Sequence, residues 1–179
     1  NKKQPTTKNS NTIIITMVVY NCYIYNKQGE CIFYKEFSSS KGGAPSGSST
    51  PISPHSAQLF EKHRTEKELI KLEGDMKLMY GLVYSLKAFV QGIAPRENEN
   101  FRSFSTNTYK LHFYESPTGF KFIFLTDTNA SELDNQLTEI YTRFFVPYVI
   151  SNPLYNLHEK INCYLFTENL TRYVETYMQ

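Results

Sequence analysis

The sequence predicts an α/β (α+β) domain built on one five-stranded mixed sheet, mainly antiparallel, with one helix on one face and two on the other. Its elements follow in the order strand, strand, helix, three strands and two helices, and the spacing of apolar residues marks each of them. A hairpin, a crossover helix and a three-strand meander form one sheet around one core. A chain of 179 residues has room for one such domain.

The opening hairpin is predicted from two apolar runs joined by turn residues. Residues 18–25 form the first strand, because most of them are apolar and many are β-branched or aromatic. Residues 26–29 carry turn-forming side chains at both ends, and residues 31–34 together with Phe37 form the second strand.

Two stretches lie outside the predicted core. Residues 1–12 are polar and unpatterned, which is typical of a disordered tail. The tail is predicted to extend to residue 16, and Met17 directly after it is a candidate start residue. Residues 38–56 contain 8 Ser, 3 Gly and 3 Pro among 19 residues, a composition that favours a flexible loop. We therefore predict a single domain over residues 17–179 with a flexible insert at about 38–60.

The predicted crossover helix is apolar on two sides. It begins between residues 58 and 73 and ends at Gly92 and Pro95. One apolar stripe recurs at three- and four-residue steps, at Met76, Met79, Val83, Leu86 and Val90. Leu78, Leu82 and Phe89 lie off this stripe. A helix that covers a sheet needs one apolar face, so the second face needs a second cover, either the C-terminal part of the chain or a partner chain.

The meander is predicted over three runs, residues 101–105, 109–114 and 120–125. The last two alternate large apolar residues with others, a period of two that is typical of an antiparallel meander. An amphipathic helix follows from Leu133 to Phe145, and Pro147 ends or kinks it. A last helix is predicted from Leu154, with further apolar residues at Leu157, Ile161, Leu165, Leu170, Tyr173 and Val174.

The residues that carry chemistry in enzymes do not form a recognisable motif here. The chain lacks a G-x-S-x-G elbow, a Rossmann glycine fingerprint and a Walker motif. Its 3 Cys have no C-x-x-C spacing and its 4 His are scattered, and His112 is interpreted as a surface or satisfied strand residue. We predict no catalytic residue, no metal ligand and no cofactor.

The net charge and the hydropathy of the chain argue against nucleic-acid binding and against insertion into a membrane. The net charge of +2 selects neither nucleic acid nor an anionic membrane. No run of about 18 apolar residues is present, so no transmembrane segment is expected.

Three blocks in order carry a resemblance to a known family. Residues 17–29 (MVVYNCYIYNKQG), 77–90 (KLMYGLVYSLKAFV) and 109–119 (YKLHFYESPTG) resemble the small longin-type subunits of the TRAPP vesicle-tethering complex. The last two blocks look similar to the branch called Bet-five in yeast and TRAPP subunit one in animals. The resemblance runs from Met17 to about Met178. Residues 1–16 have no counterpart in it, and the Ser/Gly/Pro insert is longer than the family's usual loop.

The resemblance implies a longin-like fold and a non-catalytic role. The chain would be a core subunit of the TRAPP tethering and Rab guanine-nucleotide-exchange complex in ER-to-Golgi and Golgi transport. Its implied partners are a Bet-three-type subunit, a second longin-type subunit and, through the assembled complex, a Rab-family GTPase. Its implied location is cytoplasmic, peripheral on cis-Golgi and ER-derived vesicle membranes. The alternative is a longin-fold small subunit of an adaptor complex, or another longin-type trafficking scaffold.

The two-sided helix gains a physical reason from this resemblance. One face would cover the sheet of its own domain and the other would dock a neighbouring subunit. Leu78, Leu82 and Phe89, together with Tyr84, are the predicted partner-interface residues.

Overall fold

The computed structural model describes residues 17–37, 65–95, 100–156 and 159–178. The predicted tail (1–16) and insert (38–60) lie outside them. The strands are β1 (Val19–Tyr25), β2 (Cys31–Glu36), β3 (Ser103–Ser105), β4 (Lys110–Glu115) and β5 (Lys121–Thr126). The helices are α1 (Glu66–Ile93), α2 (Asp134–Glu139), which continues as a π-helix over Ile140–Ile150, and α3 (Tyr164–Tyr177). This arrangement confirms the predicted α+β class.

The five strands form one sheet in the order β2-β1-β5-β4-β3. All four pairings between neighbours are antiparallel, so the sheet is antiparallel rather than mixed. Helix α1 carries the chain from the β2 edge to the opposite edge, and the meander then runs back until β5 lies beside β1. The alternation of side chains along each strand does not reveal which strand meets β1, and so the sequence could not exclude a parallel pair.

Each face of the sheet has its own apolar layer. In β5, Phe122 and Phe124 point to the face covered by α2, the π-helix and α3, whereas Ile123 points to the face covered by α1. All three side chains are fully buried. Tyr109, Leu111 and Phe113 line the α1 face as their alternation predicts.

The two hairpin turns have the same construction. Asn26 and Ser116 each accept hydrogen bonds from backbone amides of their own turn, and each turn closes with a glycine at positive φ, Gly29 at 85° and Gly119 at 83°. A residue with a Cβ is strained in this conformation. The two glycines differ in what surrounds them. A Cβ on Gly29 would lie 2.5 Å from Cζ of Tyr80, whereas a Cβ on Gly119 would meet the Lys27 side chain at 3.0 Å.

The helix that follows β5 departs from the expectation at its proline. Pro147 neither ends nor breaks it, because the backbone widens into a π-helix that continues to Ile150. The amide of Ser151 donates to the carbonyl of Val146, the five-residue step of that helix.

The last helix is shorter than predicted. It begins at Tyr164, after the N-cap residue Cys163, so Leu154 and Ile161 lie outside it. Leu154 is almost fully exposed, and the Ile161 amide donates to the Ile32 carbonyl at 2.7 Å. This bond ties the segment before the helix to the edge strand β2. Leu157 lies outside the described residues.

We expect Gly29→Ala to lower the free energy of unfolding by about 2–4 kcal/mol. Backbone strain contributes about 1 kcal/mol and the clash with the Tyr80 ring supplies the remainder. Gly119→Ala is the matched control, since it carries the same φ strain but meets only a flexible lysine stem, and it should cost about 1 kcal/mol. Urea denaturation of the two variants measures both values, and equal losses would contradict the role given to Tyr80.

Candidate functional site

Helix α1 rests on the sheet through the stripe that the sequence predicts. Val83 is 2% exposed. The other four members of the stripe pack around it against the tyrosines and phenylalanines of the sheet, and they are Met76, Met79, Leu86 and Val90. At its N-terminus the backbone amide of Thr65 donates to Oε2 of Glu68 at 2.8 Å, the geometry of a capping box. The helix therefore presents its opposite side to solvent.

Tyrosines fasten α1 to the sheet. The hydroxyl of Tyr25 donates a hydrogen bond to the backbone carbonyl of Met76 at 2.8 Å, and its ring lies 5.4 Å from the ring of Tyr80. The contacts continue in both directions, to Tyr23 and Tyr34 across the strands and to Tyr84 along the helix, with successive ring centroids 5.0–6.4 Å apart. Buried aromatic pairs at such distances contribute about 1 kcal/mol each beyond their buried area. This series of five rings, here called the tyrosine ladder, runs from edge strand β2 to the exposed flank of α1.

The predicted interface residues are exposed. Leu78 is 72% exposed, Leu82 37% and Phe89 62%. At about 100° per residue the three fall within roughly 40° of one another around the helix. They form a single strip along one flank of α1, roughly 100° around the helix from the buried stripe, and we call it the outer strip. The described C-terminal residues pack on the other face of the sheet. They therefore do not supply the second cover that was one of the two expectations.

Ile93 extends the outer strip and was missed from the sequence. It is 64% exposed and follows Phe89 by four residues, one turn further along the same side. The helix was expected to end at Gly92 and Pro95, and its last residue, Ile93, lies between them. From Leu78 to Ile93 the helix carries one charged residue, Lys87, and that side chain is paired with Glu115 on the flank facing the sheet. The outer strip is therefore uncharged.

Tyr84 lies on the opposite flank of the helix. It is 65% exposed, but it sits roughly 160° around the helix from Leu82. The four candidate residues thus do not form one surface. Leu78, Leu82 and Phe89 share the outer strip, and Tyr84 stands at the rim of a cavity between α1 and the β4–β5 hairpin.

The cysteines do not form a reactive centre. Cys22, Cys31 and Cys163 are free thiols. Burial raises the pKa of Cys22, and burial raises the pKa of Cys31 to about 11, so both thiols are protonated near neutral pH. Among the residues that the structure describes, no group of three or more His, Cys, Asp or Glu side chains is placed to hold a metal ion.

His112 is buried rather than at the surface. It is 1% exposed, its Nε2 lies 3.0 Å from Oγ1 of Thr126, and its Nδ1 has no hydrogen-bond partner in the described structure. Burial, with a smaller contribution from the nearby Lys110 ammonium, lowers the pKa of the imidazole to about 4, against the opposing charges of Glu132 and Asp134. The ring is therefore neutral near neutral pH, and it contacts the neighbouring strand β5 through Thr126.

Comparison with known proteins gives a consistent result. The Sybindin-like family model matches residues 19–177. Trafficking protein particle complex subunit 1 of Dictyostelium discoideum is 33% identical over 161 residues, which cover 88% of this chain and 95% of that protein. The human protein of the same name is 31% identical, with 89% and 94% covered. Transport protein particle subunit bet5 of Schizosaccharomyces pombe is 33% identical over 167 residues, with 89% and 97% covered.

The described helices were also compared with the requirements of a membrane span. None of them is long and apolar enough to cross a bilayer.

We expect His112 to make the stability of the protein fall as the pH is lowered from about 6.5 to about 4. In this window the unfolded chain binds a proton at His112 and the folded chain does not, so the folded state loses up to about 3 kcal/mol. The change levels off below pH 4 as far as this group is concerned. Urea denaturation of wild type and His112→Gln across the window measures the two slopes, and identical slopes would rule out the contribution of His112.

Proposed function

The chain belongs to the Sybindin-like family, and from this premise we propose that it is a non-catalytic core subunit of a trafficking protein particle complex. The observation that carries the proposal is the extent of the match. Relatives named as subunits of that complex align with nearly nine-tenths of this chain and with more than nine-tenths of their own length. The similarity therefore includes both helical layers and the sheet, rather than one motif.

The outer strip is the proposed docking surface for a neighbouring subunit. Leu78, Phe89 and Ile93 are each more than 60% exposed, and no charge interrupts the strip. An uncharged apolar core is what a stable protein interface requires. A scaffold role also accords with the absence of a catalytic motif in the sequence and with a His112 that is neutral and buried.

The proposed assembly has the partners that the resemblance implies. They are a Bet-three-type subunit, a second longin-type subunit and a Rab-family GTPase that meets the assembled complex and exchanges its nucleotide there. The proposed location is the cytoplasmic face of cis-Golgi and ER-derived vesicle membranes, with attachment through the complex rather than through a helix of this chain.

The first test is affinity purification of the tagged full chain from its own cells, with mass spectrometry of the proteins that co-elute. We expect Bet-three-type and longin-type subunits in stable amounts, and the recovered assembly should accelerate nucleotide release from a Rab GTPase. Recovery of a large adaptor chain instead would favour the adaptor alternative. A monomer without a stable partner would refute the proposal.

Charge placed on α1 tests the docking surface. We expect Leu78→Glu with Phe89→Glu to reduce recovery of partner subunits at least tenfold, about 1.4 kcal/mol, because the interface would bury two unpaired carboxylates. The fold of the isolated chain should persist, since both positions are exposed. Binding is read from co-purification, and folding from the thermal transition.

Two controls accompany the double variant. Val83→Glu places the same charge in the core. It should lower the free energy of unfolding by about 3–5 kcal/mol, enough to unfold much of the chain. Lys77→Glu places it on α1 outside the outer strip and should leave recovery unchanged. If the folded double variant still recovered its partners in full, the outer strip would not be part of the interface.

A further inference from the structure

The cavity beside Tyr84 is a second surface feature, separate from the outer strip. It has a volume of about 330 Å³ and lies between α1 and the β4–β5 hairpin. Val83 and Phe113, both buried, contribute to its lining, and Tyr80 contributes a ring from the tyrosine ladder. Tyr84, Ala88 and Gln91 line it from the exposed flank of the helix. A volume at the lower end of the range for ligand sites accommodates one large side chain rather than a cofactor.

Charged groups line the same cavity in unequal numbers. Nζ of Lys87 is paired with Oε2 of Glu115, and Nζ of Lys121 lies 3.6 Å from Oε1 of the same carboxylate. Two ammonium groups therefore share one carboxylate. Lys121 also donates to the carbonyl of Gly119 at 3.2 Å, and the side chain of Lys27 packs against that glycine. The lining of this partly apolar cavity thus contains two ammonium groups and one carboxylate.

A neighbouring cavity of about 400 Å³ provides the comparison. It lies on the other side of the Lys87–Glu115 pair, and Arg102 and Asp134 also line it. Arg102 and Asp134 pair with each other at 2.6 Å, so two cations meet two carboxylates and the charges balance. Of the two cavities, only the one beside Tyr84 has more positive than negative groups in its lining.

We propose that the Tyr84 cavity binds a short acidic peptide segment of a partner protein, with an aromatic side chain in the cavity and flanking carboxylates against Lys87 and Lys121. The ammonium group of Lys121 has three donor hydrogens, and in the described structure it contacts one carbonyl and one distant carboxylate oxygen. A carboxylate from a partner supplies the acceptor that this arrangement favours. The exposed ring of Tyr84 then becomes one wall of the bound aromatic side chain.

The proposal does not depend on the assembly proposed above, because it concerns the opposite flank of α1. Its test uses the isotope-labelled full chain and acetylated, amidated Glu-Glu-Phe-Glu-Glu, followed by amide chemical shifts at low salt. Two matched peptides separate the contributions, Gln-Gln-Phe-Gln-Gln for charge and Glu-Glu-Ala-Glu-Glu for the aromatic anchor. N-acetylphenylalanine tests whether one side chain with a carboxylate is sufficient.

We expect saturable shifts at the amides of Tyr84, Ala88 and Gln91, and at least fivefold weaker binding of both matched peptides. Gln91→Glu should weaken binding about threefold and Gln91→Lys should strengthen it about as much, with both differences reduced at high salt. Tyr84→Ala should weaken binding at least threefold. Phe89→Ala removes an equally exposed aromatic ring from the outer strip and should leave binding unchanged.

Four results would overturn the proposal. They are the absence of saturable shifts, shifts centred on the outer strip, equal affinity of the acidic and amide peptides, and binding of N-acetylphenylalanine as tight as that of the peptide. The thermal transition of each variant is measured beside its titration. If a variant has lost its fold, the comparison uses Gln91→Glu and Gln91→Lys instead, because these two substitutions change the charge at an exposed position of the helix.

Discussion

The central position of β5 is the constraint on which the rest of the structure depends. This strand is bonded to β1 on one side and to β4 on the other, and its side chains are buried on both faces. Phe122 and Phe124 on one face and Ile123 on the other each need an apolar cover. The helices therefore divide between the two sides, and among the described helices α1 alone covers its side. The stripe of α1 that does so leaves the apolar residues of the outer strip available to something else.

Local patterns predicted the elements well where one face of each had to be apolar. The stripe of α1 and the alternation in β4 and β5 were confirmed, because burial on a known period leaves a direct trace in the sequence. The order of strands was open, since it depends on which edges meet rather than on any one strand. The start of the last helix was misplaced because Ile161 is apolar for another reason, since its side chain is buried in the core cluster although it lies before the helix. Pro147 was expected to end or kink the helix that contains it, and it does not end it, because the backbone there is a π-helix that continues to Ile150.

In the candidate site too, the sequence pattern predicted which residues are exposed, whereas tertiary packing determines which of them lie together. Exposure of Leu78, Leu82 and Phe89 followed from their place off the buried stripe. Tyr84 was predicted together with them, yet it lies on the other flank of the helix beside a charged cavity. The lysines and the glutamate of that cavity come from α1 and from the two strands of the β4–β5 hairpin. Their proximity is a product of the antiparallel register that sets Glu115 opposite Lys121.

The tyrosine ladder has an optical consequence. The chain contains 14 Tyr and no Trp, so its ultraviolet emission comes from tyrosine alone. Along the ladder the rings are close enough for excitation energy to pass between them, from buried positions in the sheet to the solvent-facing ring of Tyr84. The emission of the interior is thereby coupled to an acceptor at the surface. If another molecule placed a tryptophan against Tyr84, energy transfer to that tryptophan would lower the tyrosine emission. The tyrosines of the protein can therefore serve as a fluorescent donor that reports contact at this flank.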